Sequence, residues 1–133
     1  MQFSRKTIWL IIFSWATIIF ILSSIPNPPQ PLTGDELFLF ILTTTEHVIE
    51  YGILGFLLFY GFRGLGKDSR KAIFLAIIFA AAYGATDEIH QFFVPTRESS
   101  ILDLAADTFG GALGALAASA KSGLIRKQNS IRL

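Results

Sequence analysis

The sequence predicts an all-α integral membrane protein: one domain of four transmembrane helices, with both termini in the cytoplasm. Three observations carry this. Apolar residues make up 52% of the 133-residue chain and fall in blocks. Basic residues gather in the intervals that an even number of crossings would put on one side. Acidic residues gather in the opposite intervals and at the helix ends beside them. Isolated apolar segments of this length satisfy their backbone groups in lipid only as helices, so four of them argue for a bundle rather than a barrel.

The first segment, Thr7 to Ile25, contains no charge and is about the ~20 residues a hydrocarbon core requires. Arg5 and Lys6 precede it, as they would in a signal peptide. The run is longer than the usual ~7–15-residue apolar region, and LSSIPNPP offers no A-x-A cleavage site, so we expect a retained helix. The stretch Pro26 to Gly34, with several prolines, cannot stay helical for long. The second segment is Ile41 to Phe62, with its polar residues in the first half. The third is Ala72 to Phe93, apolar until Asp87. The fourth is Leu102 to Leu124, rich in small residues, with Asp103 and Asp107 near its start.

Charge orients the bundle. Arg5, Lys6, Arg63, Lys67, Arg70, Lys71, Lys121, Arg126, Lys127 and Arg132 share one side, and Arg97 is the one exception. The positive-inside rule makes that side cytoplasmic. Asp68 is the only acid in the cytoplasmic loop. Asp35, Glu36 and Glu98 belong outside, and Glu46, Glu50, Asp87, Glu88, Asp103 and Asp107 sit at or within the outer helix ends. The few basic residues, scattered at segment ends, exclude a nucleic-acid surface. With no cysteine, there is neither a disulfide framework nor a thiolate metal site.

The outer ends therefore carry the chemistry. Glu46 and Glu50 are one helical turn apart, as are His47 and Tyr51, giving adjacent polar stripes. Asp87 aligns with His90 and Gln91, whereas adjacent Glu88 cannot share Asp87's direction. Asp103 and Asp107 share a face that continues into Gly110, Gly111 and Gly114, residues suited to close helix packing. A charged group at the bilayer centre costs at least ~2.5–3.5 kcal/mol, so these acids must face one another, water or a counter-ion. Arg97 and two imidazolium groups offset at most half of the six carboxylates. His47, Glu50, Asp87, His90, Arg97 and Asp107 are the candidates for catalysis, and Tyr51, Glu88, Gln91 and Asp103 for lining a binding pocket. A divalent metal would relieve the charge imbalance, with His47, Glu50, Asp87 and His90 as candidate ligands, although no H-E-x-x-H spacing is present. The plainer alternative makes each histidine a hydrogen-bonding bridge between helices.

Two stretches, HVIEYGILGFLL (47–58) and YGATDEIHQFFVPTRESSILDLAADTFGGALG (83–114), closely resemble the VanZ-like family of bacterial membrane proteins, the family of a teicoplanin-resistance protein. The resemblance implies that His47, Glu50, Tyr51, Asp87, Glu88, His90, Gln91, Pro95, Arg97, Asp103 and Gly110 are the marked positions. It also implies two departures: Glu46 where many relatives carry lysine, and Asp107 where many carry asparagine. Both make the site more acidic. The family implies a bacterial plasma-membrane protein tied to cell-envelope properties, and hands over no reaction.

Three functions fit these residues. One is a membrane factor whose outer polar pocket binds a lipid-linked envelope component or a membrane protein partner. Another is an intramembrane hydrolase or transferase acting on a lipid-linked phosphate, with a histidine as base or metal ligand and Arg97 on the phosphate. The third, an ion pathway, suits intramembrane acids but not the dry, apolar inner halves of the helices.

Overall fold

The computed structural model describes residues 4–26, 36–97 and 99–131, with side chains to residue 124. These form four helices: α1 (Arg5–Ser23), α2 (Glu36–Gly64), α3 (Ser69–Gln91) and α4 (Ile101–Ile131). There is no strand among them, and all four helices are long and apolar enough to cross a membrane. The proline-rich stretch after Pro26, with Asp35, and Glu98 fall outside the described residues. So do the side chains of Arg126, Lys127 and Arg132.

Each boundary has a local cause. Ser4 caps α1 by accepting from the Thr7 N–H at 3.1 Å. The helix stops at Ser23, two residues before the expected Ile25, because Pro26 disfavours helical backbone at the residue preceding it. α2 begins at Glu36 rather than Ile41, since Glu36-Leu-Phe-Leu-Phe contains no breaker. Its end is a Schellman motif. Gly66 takes φ 80°, its N–H reaches the Arg63 carbonyl at 3.0 Å, and the Lys67 N–H reaches the Phe62 carbonyl at 3.2 Å. Asp68 then caps α3 through the Lys71 N–H at 3.0 Å. α3 ends at Gln91, shortly before Pro95 and before Thr96 with φ 66°. Ser100 accepts from the Leu102 N–H at 3.1 Å to start α4. That helix runs past the expected Leu124 because its lysine, arginine and glutamine are good helix formers and no proline follows.

Small residues set the packing. A Cβ on Gly55 would fall on the Gly111 backbone, one on Gly110 would lie 2.5 Å from the Val48 carbonyl oxygen, and one on Gly114 would strike the Gly52 carbonyl. The α2 and α4 backbones therefore touch, as bilayer helices do when glycine lets them. α3 turns Ala72, Ala76, Ala80 and Gly84 toward this seam at four-residue spacing, all buried. Leu10, Phe13, Phe74, Phe109 and Leu116 stay exposed, which is the expected face toward lipid.

α1 is held differently. It packs on α2 and α3 and, among the described residues, makes no contact with α4. Ile8, Ile12 and Ile19 are its buried face. Trp15 Nε1 donates to the Glu50 carbonyl at 2.9 Å, and the Tyr83 hydroxyl donates to the Ala16 carbonyl at 2.6 Å. Both aromatic rings pack in the apolar interior and give their one polar hydrogen to a backbone oxygen.

Candidate functional site

The polar residues meet at the end of the bundle away from Arg5 and Arg63. His47 lies sixteen residues before Arg63 on α2, roughly 24 Å by helical rise. The convergence expected from sequence is present, but it divides into two compartments.

The inner compartment lies between α2, α3 and α4. His47 Nδ1 donates to Asp107 Oδ1 at 2.8 Å. Asp107 is 0% exposed, and its other oxygen, Oδ2, has no partner among the described residues. Gly84 makes room for it: a Cβ there would stand 2.7 Å from Oδ2. Glu88, 6% exposed, reaches the same place from α3. Its Oε2 accepts from the Ser100 N–H at 2.6 Å beside the start of α4, while Oε1 is buried and, among the described residues, without a partner. One donor atom from each of His47, Glu88 and Asp107 lies within 4.8 Å of the other two. The buried Tyr51 hydroxyl, likewise unpartnered, belongs to the same polar interior, its ring 6.2 Å from that of Tyr83. Asp103, one turn before Asp107, is half-buried.

The outer compartment is an open pocket of about 380 Å³ between the end of α1 and the α2–α3 surface. Its polar wall is Glu46, His47, Glu50, Asp87, Gln91 and Arg97, and Leu22, Ile25 and Pro26 supply an apolar wall. Gln91 Nε2 donates to Asp87 Oδ2 at 2.9 Å, while Asp87 Oδ1 is buried and, among the described residues, unpartnered. His47 belongs to both compartments.

Several expectations change in detail. Asp87 and Glu88 are both buried, because Asp87 turns toward Gln91 and Glu88 toward the start of α4. Arg97 is not an ion-pair partner among the described residues. Its Nε donates to the Ile25 carbonyl and Nη2 to the Leu22 carbonyl, both at 3.0 Å, so it closes the exposed end of α1. His90 stands apart from the acids, 4.5 Å from Phe20 ring to ring, and bonded to Ser24 Oγ at 2.9 Å. The single Ser24 hydroxyl hydrogen goes to the Phe20 carbonyl at 2.6 Å, which makes His90 Nε2 the donor to Ser24. Of the four sequence-derived metal candidates, His47 alone belongs to the group of three donors, and its companions are Glu88 and Asp107 rather than Glu50, Asp87 and His90. Sequence reasoning missed Gly84, Trp15, Ser24 and Ser100. Trp15 was findable as an indole N–H inside an uncharged apolar run, a donor that needs a partner when buried. The spacing of Ala72, Ala76, Ala80 and Gly84 marks Gly84 as a packing position, but what α4 sets against it is not visible there.

Neither a curated protein nor a solved structure matches the chain. The model of the VanZ/LLP1 family, however, matches residues 2–125, a stretch that takes in the apolar spans of all four helices and every polar residue of both compartments. Four apolar helices and this match fit a small multi-pass membrane protein, and the chain belongs to the VanZ/LLP1 family.

Proposed function

We propose that this single-domain protein sits in the bacterial plasma membrane with both termini in the cytoplasm. Its outer-leaflet pocket binds the head group of a lipid-linked envelope component. One observation carries the reading: a pocket of about 380 Å³, within the ordinary small-ligand range, faces three carboxylates with an apolar wall. An occupant with hydrogen-bond donors or positive charge at one end and a hydrocarbon portion at the other satisfies both walls. The acidic lining of Glu46, Glu50 and Asp87 disfavours a bare phosphate, because the one guanidinium there already serves the Leu22 and Ile25 carbonyls.

The test is retention of lipid by the full chain purified from bacterial membranes, read by native mass spectrometry. Wild type is expected to keep a lipid that Glu50→Gln and Asp87→Asn release while staying helical and monodisperse. Equal retention by all three would defeat the reading.

An intramembrane hydrolase or transferase for a lipid-linked phosphate has one observation in its favour. The His47–Asp107 pair, 2.8 Å long, is the arrangement that orients an imidazole for base catalysis. Arg97, engaged with α1, counts against it. Release of phosphate from a lipid-linked substrate by wild type and not by His47→Ala would put this second reading first.

A further inference from the structure

The geometry points to a divalent-cation site at the floor of the pocket, held by His47, Glu88 and Asp107, for an ion of the zinc or manganese kind. The donors converge from three helices, within 4.8 Å of one another. All three residues are at least nine-tenths buried, and two of the carboxylate oxygens, Asp107 Oδ2 and Glu88 Oε1, have no partner among the described residues. A buried carboxylate oxygen left unpaired is costly, and side-chain packing does not relieve it.

Charge arithmetic favours an ion over the bare cluster. Glu88 and Asp107 contribute two negative charges, and a protonated His47 can offset one. A divalent ion bound to neutral imidazole and two carboxylates balances the set. The Nδ1 hydrogen that bridges to Asp107 gives way to the ion, and the neutral ring keeps its hydrogen on Nε2. One nitrogen with carboxylate oxygens is a ligand set that zinc or manganese accepts, whereas the absence of cysteine removes the sites softer metals prefer. His90 does not compete, because it lies against Phe20 and Ser24 of α1, apart from the three converging donors. The Ser100 N–H on Glu88 Oε2 is the kind of outer contact that orients a ligating carboxylate. The site deepens the pocket reading and rests on it only for the route by which an ion arrives, past His47.

The experiment is a Mn²⁺ titration of EDTA-stripped full-length protein in nanodiscs of zwitterionic lipid, with free Mn²⁺ followed by electron paramagnetic resonance. Wild type is expected to take up about one ion per chain, which Zn²⁺ displaces. Asp107→Asn, which keeps the side-chain shape, and Glu88→Gln are each expected to weaken binding at least about tenfold, the scale seen when metal-site groups are altered. Glu36→Gln, exposed in the first turn of α2, should bind as wild type does. Uptake by wild type well below one ion per chain overturns the site, whatever the variants do. So does full uptake that survives both Asp107→Asn and Glu88→Gln. Loss of the ion with lipid retention intact would remove the cation and leave the pocket standing.

Discussion

Replacing His47 by alanine leaves Asp107 with a carboxylate that is 0% exposed and has no other partner among the described residues. Two magnitudes compete for the outcome. Hydrogen bonds between bilayer helices average only about 0.6 kcal/mol and reach about 1.7 in double-mutant cycles, because helices separated in the membrane find other partners. Breaking a buried ion pair by removing one member costs about 3–5 kcal/mol. The second scale applies here. Asp107 sits between touching helices with Gly84 against it, where lipid cannot repair the loss. Water reaches it only through the gap that His47 leaves beside the pocket, whereas a separated α4 would let it reach the interface. We expect His47→Ala to cost about 3 kcal/mol, at the low end of that range. Asp107→Asn, which keeps an acceptor for His47, should cost about 1 kcal/mol. With the charge gone, His47→Ala should then matter little, so the cycle should show a coupling of about 1.5 kcal/mol or more. The assay is reversible unfolding in mixed micelles with EDTA present, followed by Trp9 and Trp15 fluorescence and by circular dichroism. Additive single effects, or a His47→Ala protein within about 0.5 kcal/mol of wild type, would refute the claim that this contact is a desolvated pair.

Gly114→Ala should cost about 1–3 kcal/mol by pushing a methyl group onto the Gly52 carbonyl, whereas Gly123→Ala, which meets nothing within 4 Å, should be neutral or slightly stabilising in the same unfolding assay. Gly84→Ala should cost a similar 1–3 kcal/mol, since the new methyl would lie 2.7 Å from Asp107 Oδ2 and 3.0 Å from its Cβ. Removing that side chain as well, in Gly84→Ala/Asp107→Ala, should recover part of the loss. In intact cells an impermeant maleimide should label Gln30→Cys and spare Lys67→Cys, and the reverse pattern would invert the proposed orientation. At the α2–α3 turn, the Lys71 N–H holds the Asp68 carboxyl below its ordinary value. With the folded value depressed, this cap is whole above the ordinary carboxylate range and is lost as pH falls through the lowered value. Amide exchange at Lys71, corrected for its intrinsic pH dependence, should therefore lose protection only in acid, and a flat profile would show that the cap does not hold the turn.

The helices were legible because apolar length is a local property: Thr7 to Ile25 needs no partner to announce a membrane span. The polar end was legible for the same reason, since Glu46 to Tyr51 and Asp87 to Asp107 interrupt apolar runs at matching depths. The pairings were not. Whether Asp87 or Glu88 meets α4 depends on the rotation of α3, which the Ala72, Ala76, Ala80, Gly84 stripe fixes against the α4 glycines. His90 follows from that rotation, because the face next to Glu88 points it at Ser24 of α1. Arg97 looked like a counter-ion because it was the lone outer cation. It meets backbone carbonyls instead, since a helix ending at Ser23 leaves oxygens without intrahelical donors, and this need is invisible in a tally of charges.

The two ways of joining helices divide the labour of the bundle. Between α2 and α4, backbone touches backbone at Gly55, Gly110 and Gly114, so Asp107 is closed off on that side. α1 is tied by side chains to isolated carbonyls: Trp15 to Glu50, Tyr83 to Ala16, Arg97 to Leu22 and Ile25. Each such bond contributes about 0.6 kcal/mol on the bilayer average, and among the described residues α1 has no contact with α4 to reinforce them. On the pocket reading, access for a lipid head group therefore lies between α1 and the α2–α3 surface, where separation breaks a few hydrogen bonds and the packing of Ile8, Ile12 and Ile19 rather than a glycine seam. His47 stands where the pocket meets the α2–α4 seam, lining the one and bonded to Asp107 in the other. The occupant and the charge balance of the floor are, on the pocket reading, coupled through this one imidazole.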